Sequence, residues 1–499
     1  MDLSRGAERF GEVPALPAYE GHLRTRNPND ERKLVVVSNR VVLPDHDHVG
    51  GLGQALKSAF NGAEGAWLGW SGHIGDSDTP SDVAVGAMHY RTVDLSQALY
   101  DRYYKQFSNE VLWPALHGRL DVMRFRTDAY AGYLEANRRF ADLLPGVADR
   151  QDPVWVHDYH LIPLACMARE RGFEGPFGFF LHTPVPPAQT LSSIPRHREL
   201  LRTLADYDLV GVQTHNDLVN LRDYFRREHG AHEDTDGWLR LPSGRAFRVA
   251  AFPIGIDHEA IAALADAGSE RPRVSIAPRR PMSLIGVDRL DYSKGIPNRI
   301  RAFGRLLADN RSLCGEVELV QVAPPSRSDV AAYKQLAKTT GRLVERVNTR
   351  HGTDDWQPIR FVAEALPLSR LAVMYRQSRV GLVTPLRDGM NLVAKEYVAA
   401  QDPLDPGVLV LSCFAGAAYE LTGALMVNPH DIEGCADAIA RAIAMPRGER
   451  RERWQAMMTS LRDNDVRSWG ARFVAQLRDT ATTAEVETSP RGQRIEASA

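Results

Sequence analysis

The chain is 499 residues long, enough for roughly two to four domains and for a core that needs no disulfide or structural metal. Its composition, 43% hydrophobic and 25% charged, excludes a disordered or fibrous protein. Lys and Arg number 61 against 63 Asp and Glu, a formal charge of -2, which excludes a whole-protein basic footprint for nucleic acid or a cationic membrane face. An anionic ligand would have to meet cations gathered in one pocket.

Residues 1–32 mix Arg, Glu, Pro and Asn without an apolar core and read as an N-terminal extension, neither signal peptide nor transit helix. No apolar run approaches the length of a membrane span. The scattered Cys166, Cys314, Cys413 and Cys435 read as reduced, mostly buried thiols of a cytoplasmic protein.

From residue 34 onward, short β-branched runs alternate with helical periodicity. Residues 34–37, 154–156, 177–181 and 209–212 predict buried strands of a first domain, and 284–287, 317–322, 380–384 and 408–411 those of a second. Amphipathic stretches such as 161–171 and 296–307 lie between them, so parallel α/β sheets are expected. Residues 269–281, with three prolines and four arginines, read as a linker. The fold class is therefore α/β, with two doubly wound Rossmann-like domains, 33–268 and 282–455. They face a cleft at the carboxyl ends of the strands. Helix faces marked by Trp454, Met458 and Leu461, then Trp469, Phe473 and Leu477, break at Asn464-Asp465, and the polar residues 480–499 read as a disordered tail.

Candidate site residues fall at strand ends. Arg40 follows the first strand, at the carboxyl end where ligands sit, though an arginine there is more often solvated than functional. In Val49-Gly50-Gly51-Leu52-Gly53-Gln54, backbone N–H groups could converge on an anion, though a tight turn is the plain alternative. The aromatic stretch from Tyr103-Tyr104 to Trp113-Pro114 suits either a core-facing helix or a sugar platform. His157-Asp158-Tyr159-His160 and Leu181-His182-Thr183-Pro184 each end a strand. A carboxylate and imidazoles there suit sugar hydroxyls better than a metal. Asp206-Tyr207-Asp208 precedes its strand, the wrong side for a metal site on a parallel sheet.

In the second domain, Arg289 and Lys294 stand five residues apart after a strand, able to clamp a diphosphate or to form an exposed ion-pair network. Arg327 follows the next strand. Thr384-Pro385-Leu386-Arg387-Asp388-Gly389-Met390-Asn391 predicts a strand end, a Pro/Gly loop and a helix starting near Met390, its N–H groups facing a phosphate. Glu396 would lie about two turns into that helix. P-loop, H-E-x-x-H and G-x-S-x-G signatures are missing.

Val35 to Arg40, Gln106 to Asn109 with Leu112-Trp113-Pro114, Val156 to Leu161, Arg289 to Gly295 and Val383 to Glu396 resemble, in order, the motifs of the trehalose-6-phosphate synthase family. The resemblance runs from about residue 33 to 475. It implies the GT-B fold, with residues 456–479 as a helix returning to the first domain. The implied reaction is retaining transfer of glucose from UDP-glucose to glucose 6-phosphate, forming α,α-trehalose 6-phosphate and UDP. It implies that Arg40, Tyr104, Trp113, Asp158 and Arg327 bind glucose 6-phosphate. Gly50, Gly51, His182, Arg289, Lys294, Leu366, Asp388, Gly389, Met390, Asn391, Leu392, Val393, Ala394, Lys395 and Glu396 would bind the donor. Arg289, Lys294, Asp158, His182 and Asp388 are the implied catalytic set. No metal or prosthetic group, no nucleic acid and no membrane is implied, and a homo-oligomer is.

The stretches 228–245 and 364–367 match the family poorly, and the second lies near the expected base pocket, so ADP- or GDP-glucose stand as alternative donors. The competing functions are a non-catalytic sugar-phosphate sensor and another GT-B enzyme such as a phosphorylase. The phosphorylase would need a pyridoxal-phosphate lysine that no motif here supplies.

Overall fold

Val35, Val36 and Val37 are all buried, but they face two different cores. Val35 and Val37 join Val154, Val156, Phe177 and Phe179 on one side, and Val36 joins Trp155 and Phe180 on the other. A strand covered on both faces explains the continuous apolar runs. The computed structural model describes residues 32–43, 53, 56–57, 64–77, 79–269, 281–327 and 329–488, and everything from Lys33 onward forms one unit.

The first sheet contains β1 (Leu34–Arg40), β2 (Gly65–Ile74), β3 (Ser81–Val85), β4 (Met88–Leu95), β5 (Val154–His157), β6 (Phe177–Phe180), β7 (Leu209–Val212), β8 (His232–Glu233), β9 (Trp238–Arg240) and β10 (Ala246–Ala251). Their order is β3-β4-β2-β1-β5-β6-β7-β10-β9-β8, parallel except at the two edges. The second sheet contains β11 (Met282–Val287), β12 (Val317–Val322), β13 (Ile359–Val362), β14 (Val380–Val383), β15 (Val408–Ser412) and β16 (Leu425–Val427). Its order β13-β12-β11-β14-β15-β16 is that of a Rossmann sheet, parallel throughout. Strand order reverses between β1 and β5 and between β11 and β14, so each sheet has its ligand crevice after those strands.

Helix α1 (His258–Ser269) follows β10, and α2 (Ile296–Asp309) follows β11. Then come α3 (Leu368–Gln377), α4 (Leu392–Ala399), α5 (Arg447–Asp463) and α6 (Val466–Thr488). Although α1 falls in the stretch expected for the first domain, it packs against α3 and α4 on the second sheet, with Ile261 and Ala265 in the core shared with Leu371 and Tyr375. The helical break does fall at Asn464-Asp465, but the returning helix starts at Val466 rather than 456. Residues up to 463 still belong to α5, where the Trp454 indole donates to the Val398 carbonyl at 3.0 Å. Helix α6 then lies on the first sheet. Phe473 stacks on Trp155 at 4.3 Å and 11°, over a floor kept flat by Gly178 and Gly211. Residues 480–488, read as tail, continue α6, and Thr480 is buried. Local polarity did not end the helix, because the Trp155 floor holds the preceding turns.

Stretch 161–171 forms only a short helix, Leu164–Arg169, after a 3-10 turn at Tyr159–Leu161. Of the four free cysteines only Cys435 is buried, the others being half-buried. Among the described residues no helix is long and apolar enough to cross a membrane.

Candidate active site

Asp158 is the first residue after β5, at the crevice of the first sheet, and its backbone is in the left-handed region at φ 76°. A non-glycine residue pays strain to hold this conformation. Main-chain bonds hold it there: its N–H donates to the Phe180 carbonyl at 2.8 Å, and its carbonyl accepts from Leu161 at 3.1 Å. Burial pushes its carboxyl up to about 6, opposed by the Tyr159 and His182 N–H groups and by Arg327 and Arg289. The aromatic stretch is core-facing along one side, as one of its two readings expected. A π-helix over Asp101–Leu112 turns Tyr103, Phe107, Val111 and Leu112 into the core. Tyr104 faces the crevice, stacked on the His160 ring at 5.6 Å and 9°. Arg40 ends β1, exposed, with its guanidinium over Gly72.

From the second sheet, Asp291 reaches across to these elements. It is wholly buried and accepts from Arg327 at 3.1 Å, Tyr333 at 2.8 Å, the Ser293 N–H at 3.0 Å and, from the first sheet, the Trp113 indole at 3.4 Å. Burial alone would raise its carboxyl, but Arg327 and Arg289 hold it down at about 2. Arg327 lies over the Trp113 ring at 4.3 Å and donates to the Tyr159 hydroxyl at 3.3 Å, which leaves its buried Nε unpaired. Arg289 is exposed, 5.8 Å from the Trp113 ring, and has no acidic partner among the described residues.

Lys294 pairs with Asp388, which also accepts from Asn391 at 3.0 Å. Asn391 is itself left-handed at φ 74°, and the N–H groups of Gly389, Met390 and Asn391 find no main-chain partner among the described residues. Residues after the strands of both sheets thus meet at Trp113, whose ring has Arg327 at 4.3 Å and Arg289 at 5.8 Å, while Lys294 is held by Asp388. Buried unpaired polar atoms collect around them, including both His160 nitrogens, Arg327 Nε and Asn391 Oδ1. Since buried polar groups are normally satisfied, this concentration marks a polar ligand site.

This arrangement agrees with what the chain is similar to. The model of Glycosyltransferase family 20 matches residues 24–479. The chain belongs to glycosyltransferase family 20. It is 46% identical over 455 residues to a trehalose-6-phosphate synthase of Sinorhizobium fredii, covering 89% of this chain and 98% of that one. The crystal structure of an α,α-trehalose-phosphate synthase (UDP-forming) from Burkholderia xenovorans in complex with glucose-6-phosphate superposes with a TM-score of 0.86. That match has 43% identity over 89% of this chain and 100% of the other. An E. coli structure bound with UDP-2-fluoro glucose matches with a TM-score of 0.83 and 41% identity, over 89% and 98% of the two chains. The facing Rossmann-like sheets with α6 crossing back form the GT-B arrangement of this family.

Several expected site residues stand differently from their family reading. Gly50 and Gly51 lie outside the described residues, as does most of the linker. Helix α4 starts at Leu392, two residues past Met390, so Glu396 is one turn into it rather than two. Burial pushes the Glu396 carboxyl up to about 7, and Tyr375 donates to its Oε2 at 3.2 Å. Lys395, next to it, points the opposite way. Its ammonium is fully buried and donates to the Ile254 carbonyl at 2.7 Å and to Glu420 at 2.6 Å, so the side chain is not in the donor site. On a helix, adjacent residues cannot share a face.

Leu366 is 4% exposed, packed in the core beside Leu371. The His182 ring has no nitrogen left for a sugar hydroxyl, because Gln213 faces Nδ1 at 3.3 Å and His157 faces Nε2 at 3.1 Å. Sequence reasoning named neither Asp291, Tyr333 nor Gln213 as site residues. Asp291 stood inside the matched Arg289–Gly295 motif, the one available signal. Asp208 is occupied structurally by Arg169 at 2.8 Å and Arg245 at 2.9 Å. Among the described residues no group of three or more His, Cys, Asp or Glu is placed to hold a metal.

Proposed function

We propose that the chain transfers glucose from UDP-glucose to the anomeric hydroxyl of glucose 6-phosphate with retention, releasing α,α-trehalose 6-phosphate and UDP. The observation that carries this reading is the gathering of Arg289 and Arg327 near one Trp113 ring where the two sheets meet, with Lys294 and the N–H groups of Gly389, Met390 and Asn391 on the second sheet, a donor set suited to phosphate esters. Arg40, Tyr104 and Arg327 take the acceptor phosphate, Trp113 its sugar, and Asp158 its hydroxyls. Arg289 and Lys294 take the donor diphosphate with the N–H groups of Gly389, Met390 and Asn391. Asp388 contacts the donor sugar, while Leu392, Val393 and Ala394 line the nucleoside, with Glu396 on the ribose.

Chemistry proceeds at the donor face from which UDP leaves. The acceptor oxygen forms its bond to the glucosyl anomeric carbon as the bond from that carbon to the β-phosphate oxygen breaks. The acceptor proton passes to that leaving oxygen. No carboxylate is assigned to the opposite face, where a covalent route would need one. Arg289 and Lys294 stabilise the charge growing on the diphosphate. The Lys294–Asp388 pair has a direct part in this, since a phosphate entering between them takes over the lysine.

The test is UDP release in the presence of glucose 6-phosphate, compared across UDP-, ADP- and GDP-glucose. UDP-glucose is expected to be the best donor, and no release with any donor overturns the reading. Glucose 6-phosphate binding without turnover would favour the sensor alternative. The reaction needs no metal or prosthetic group, so chelator treatment should leave the rate unchanged, and loss of activity restored by a divalent cation would refute that. The phosphorylated substrates make the cytoplasm the site of action. A homo-oligomer completes the proposal, to be checked by light scattering.

A further inference from the structure

Ile254 lies on the segment that leaves β10 for α1, where the chain passes from one sheet to the other. The return crossing runs beside it: Val466 N–H donates to the Ile256 carbonyl at 3.3 Å, and a β-carbon on Gly255 would overlap the Asn464 carbonyl. Both main-chain polar groups of Ile254, on the two peptide units that flank its α-carbon, are bound by buried side chains. Its carbonyl accepts from Lys395 of α4, and its N–H donates to Gln213 Oε1 at 3.0 Å. Gln213 is 1% exposed.

The N–H bond fixes which way the Gln213 amide points, so its NH2 donates to His182 Nδ1. His182 then carries its proton on Nε2 and donates to His157 Nδ1. The ring being spoken for, His182 serves the cleft through its main chain. Its N–H donates to Asp158 Oδ1 at 3.3 Å, and its carbonyl abuts Gly389.

We propose that Gln213 is a positioning residue of the transfer site: it holds His182 in one tautomer and orientation and, through the main chain of Ile254, whose N–H it accepts and whose carbonyl Lys395 grips from the other sheet, makes that orientation depend on how the two sheets are joined. Asp158 and Gly389 are the beneficiaries, one on the acceptor side and one on the donor side. The kinetic part of this rests on the glucosyl-transfer reading; the relay itself does not.

Nitrogen-15 spectra of the histidine-labelled wild-type enzyme test the relay without any substitution. Both His157 and His182 are expected in the Nε2–H tautomer at neutral pH. Assignment of His182 as Nδ1–H or as imidazolium overturns the proposal. In kinetics, Gln213→Leu and Lys395→Met are each expected to lower kcat/KM for UDP-glucose at least about tenfold through misplacement of the site. The double variant should be no worse than the weaker single variant within about twofold, because both cut one chain of contacts. Losses that multiply, or a Gln213→Leu enzyme that loses less than about tenfold, overturn the proposal. Should Gln213→Leu not fold, Gln213→Glu retains the acceptor for Ile254 and replaces the amide donor to His182. It is expected to shift the His182 ring resonances, and unchanged resonances count against the relay. A wild-type enzyme that releases no UDP would sink the glucosyl-transfer reading while the tautomer spectrum still judges the relay.

Discussion

The α-carbon of Gly389 lies so close to the His182 carbonyl oxygen that a β-carbon at residue 389 would overlap it. Gly389 belongs to the loop after β14 and His182 to the loop after β6, so the donor loop of one sheet is seated directly on the other. Gly389→Ala should force the two apart. Initial rates of UDP release should fall on the order of 10²-fold, as expected when reacting groups are displaced by about 1 Å. A rate near wild type would mean that this contact is not needed for turnover.

Arg289 is exposed and has no acidic partner among the described residues, so its charge is available to a leaving diphosphate. Arg289→Ala should lower kcat on the order of 10²-fold, and Arg289→Lys should restore only part of it, because one ammonium cannot reproduce a two-pronged guanidinium. Steady-state kinetics decide this. A glucosyl adduct trapped on the protein and seen by mass spectrometry would refute front-face transfer itself.

Asp291 is the shared acceptor of Arg327, Tyr333 and Trp113, which makes it a support for the acceptor end of the cleft. Asp291→Ala leaves a buried guanidinium unpaired, a change that costs about 3–5 kcal/mol. The midpoint of thermal unfolding should fall accordingly, and the KM for glucose 6-phosphate should rise more than the KM for the donor. Equal effects on both would assign Asp291 a purely structural part.

Asp158 must be ionised to accept hydrogen bonds from acceptor hydroxyls, and burial pushes its carboxyl up to about 6. The kcat/KM for glucose 6-phosphate should therefore decline below pH 6, roughly tenfold per unit. The substrate phosphate has its second ionisation at about 6 as well. Asp158→Asn separates the two, because an acid limb that survives the substitution comes from the substrate. For stability the sign is opposite to that for activity. A carboxyl raised from 3.8 binds its proton more tightly in the folded state, so its contribution is complete below 3.8 and is lost as pH rises through about 6.

Phe473 anchors the returning helix between Trp155, Gly178 and Gly211. Phe473→Ala should destabilise the protein by about 3–5 kcal/mol, read as a lower denaturation midpoint. A loss under about 1 kcal/mol would show that the helix is held by Trp469 and Leu477 without it.

Sequence alone determined the parts of this protein that local chemistry controls. Continuous runs such as Val35-Val36-Val37 had to be strands covered on both faces. In parallel α/β topology the residues after each strand reach the same edge of the sheet, so Arg40, Asp158, Arg289, Lys294, Arg327 and Asp388 were legible as residues of that edge one by one. A chain with a formal charge of -2 could serve anionic ligands only by concentrating cations, and strand ends are where it does so. What the motifs could not show is the direction of each side chain once the two sheets meet. Lys395 and Glu396 are neighbours in one motif, yet one turns into the crossing at Ile254 and the other stays on the side of Tyr375. The His182 ring is committed to Gln213 and His157, and Asp291 joins Trp113 to Arg327. Helix α1, expected on one domain, packs on the other. Each of these was decided by tertiary contact, because a buried donor or acceptor must find its partner wherever the fold brings one, and sequence distance carries no record of that.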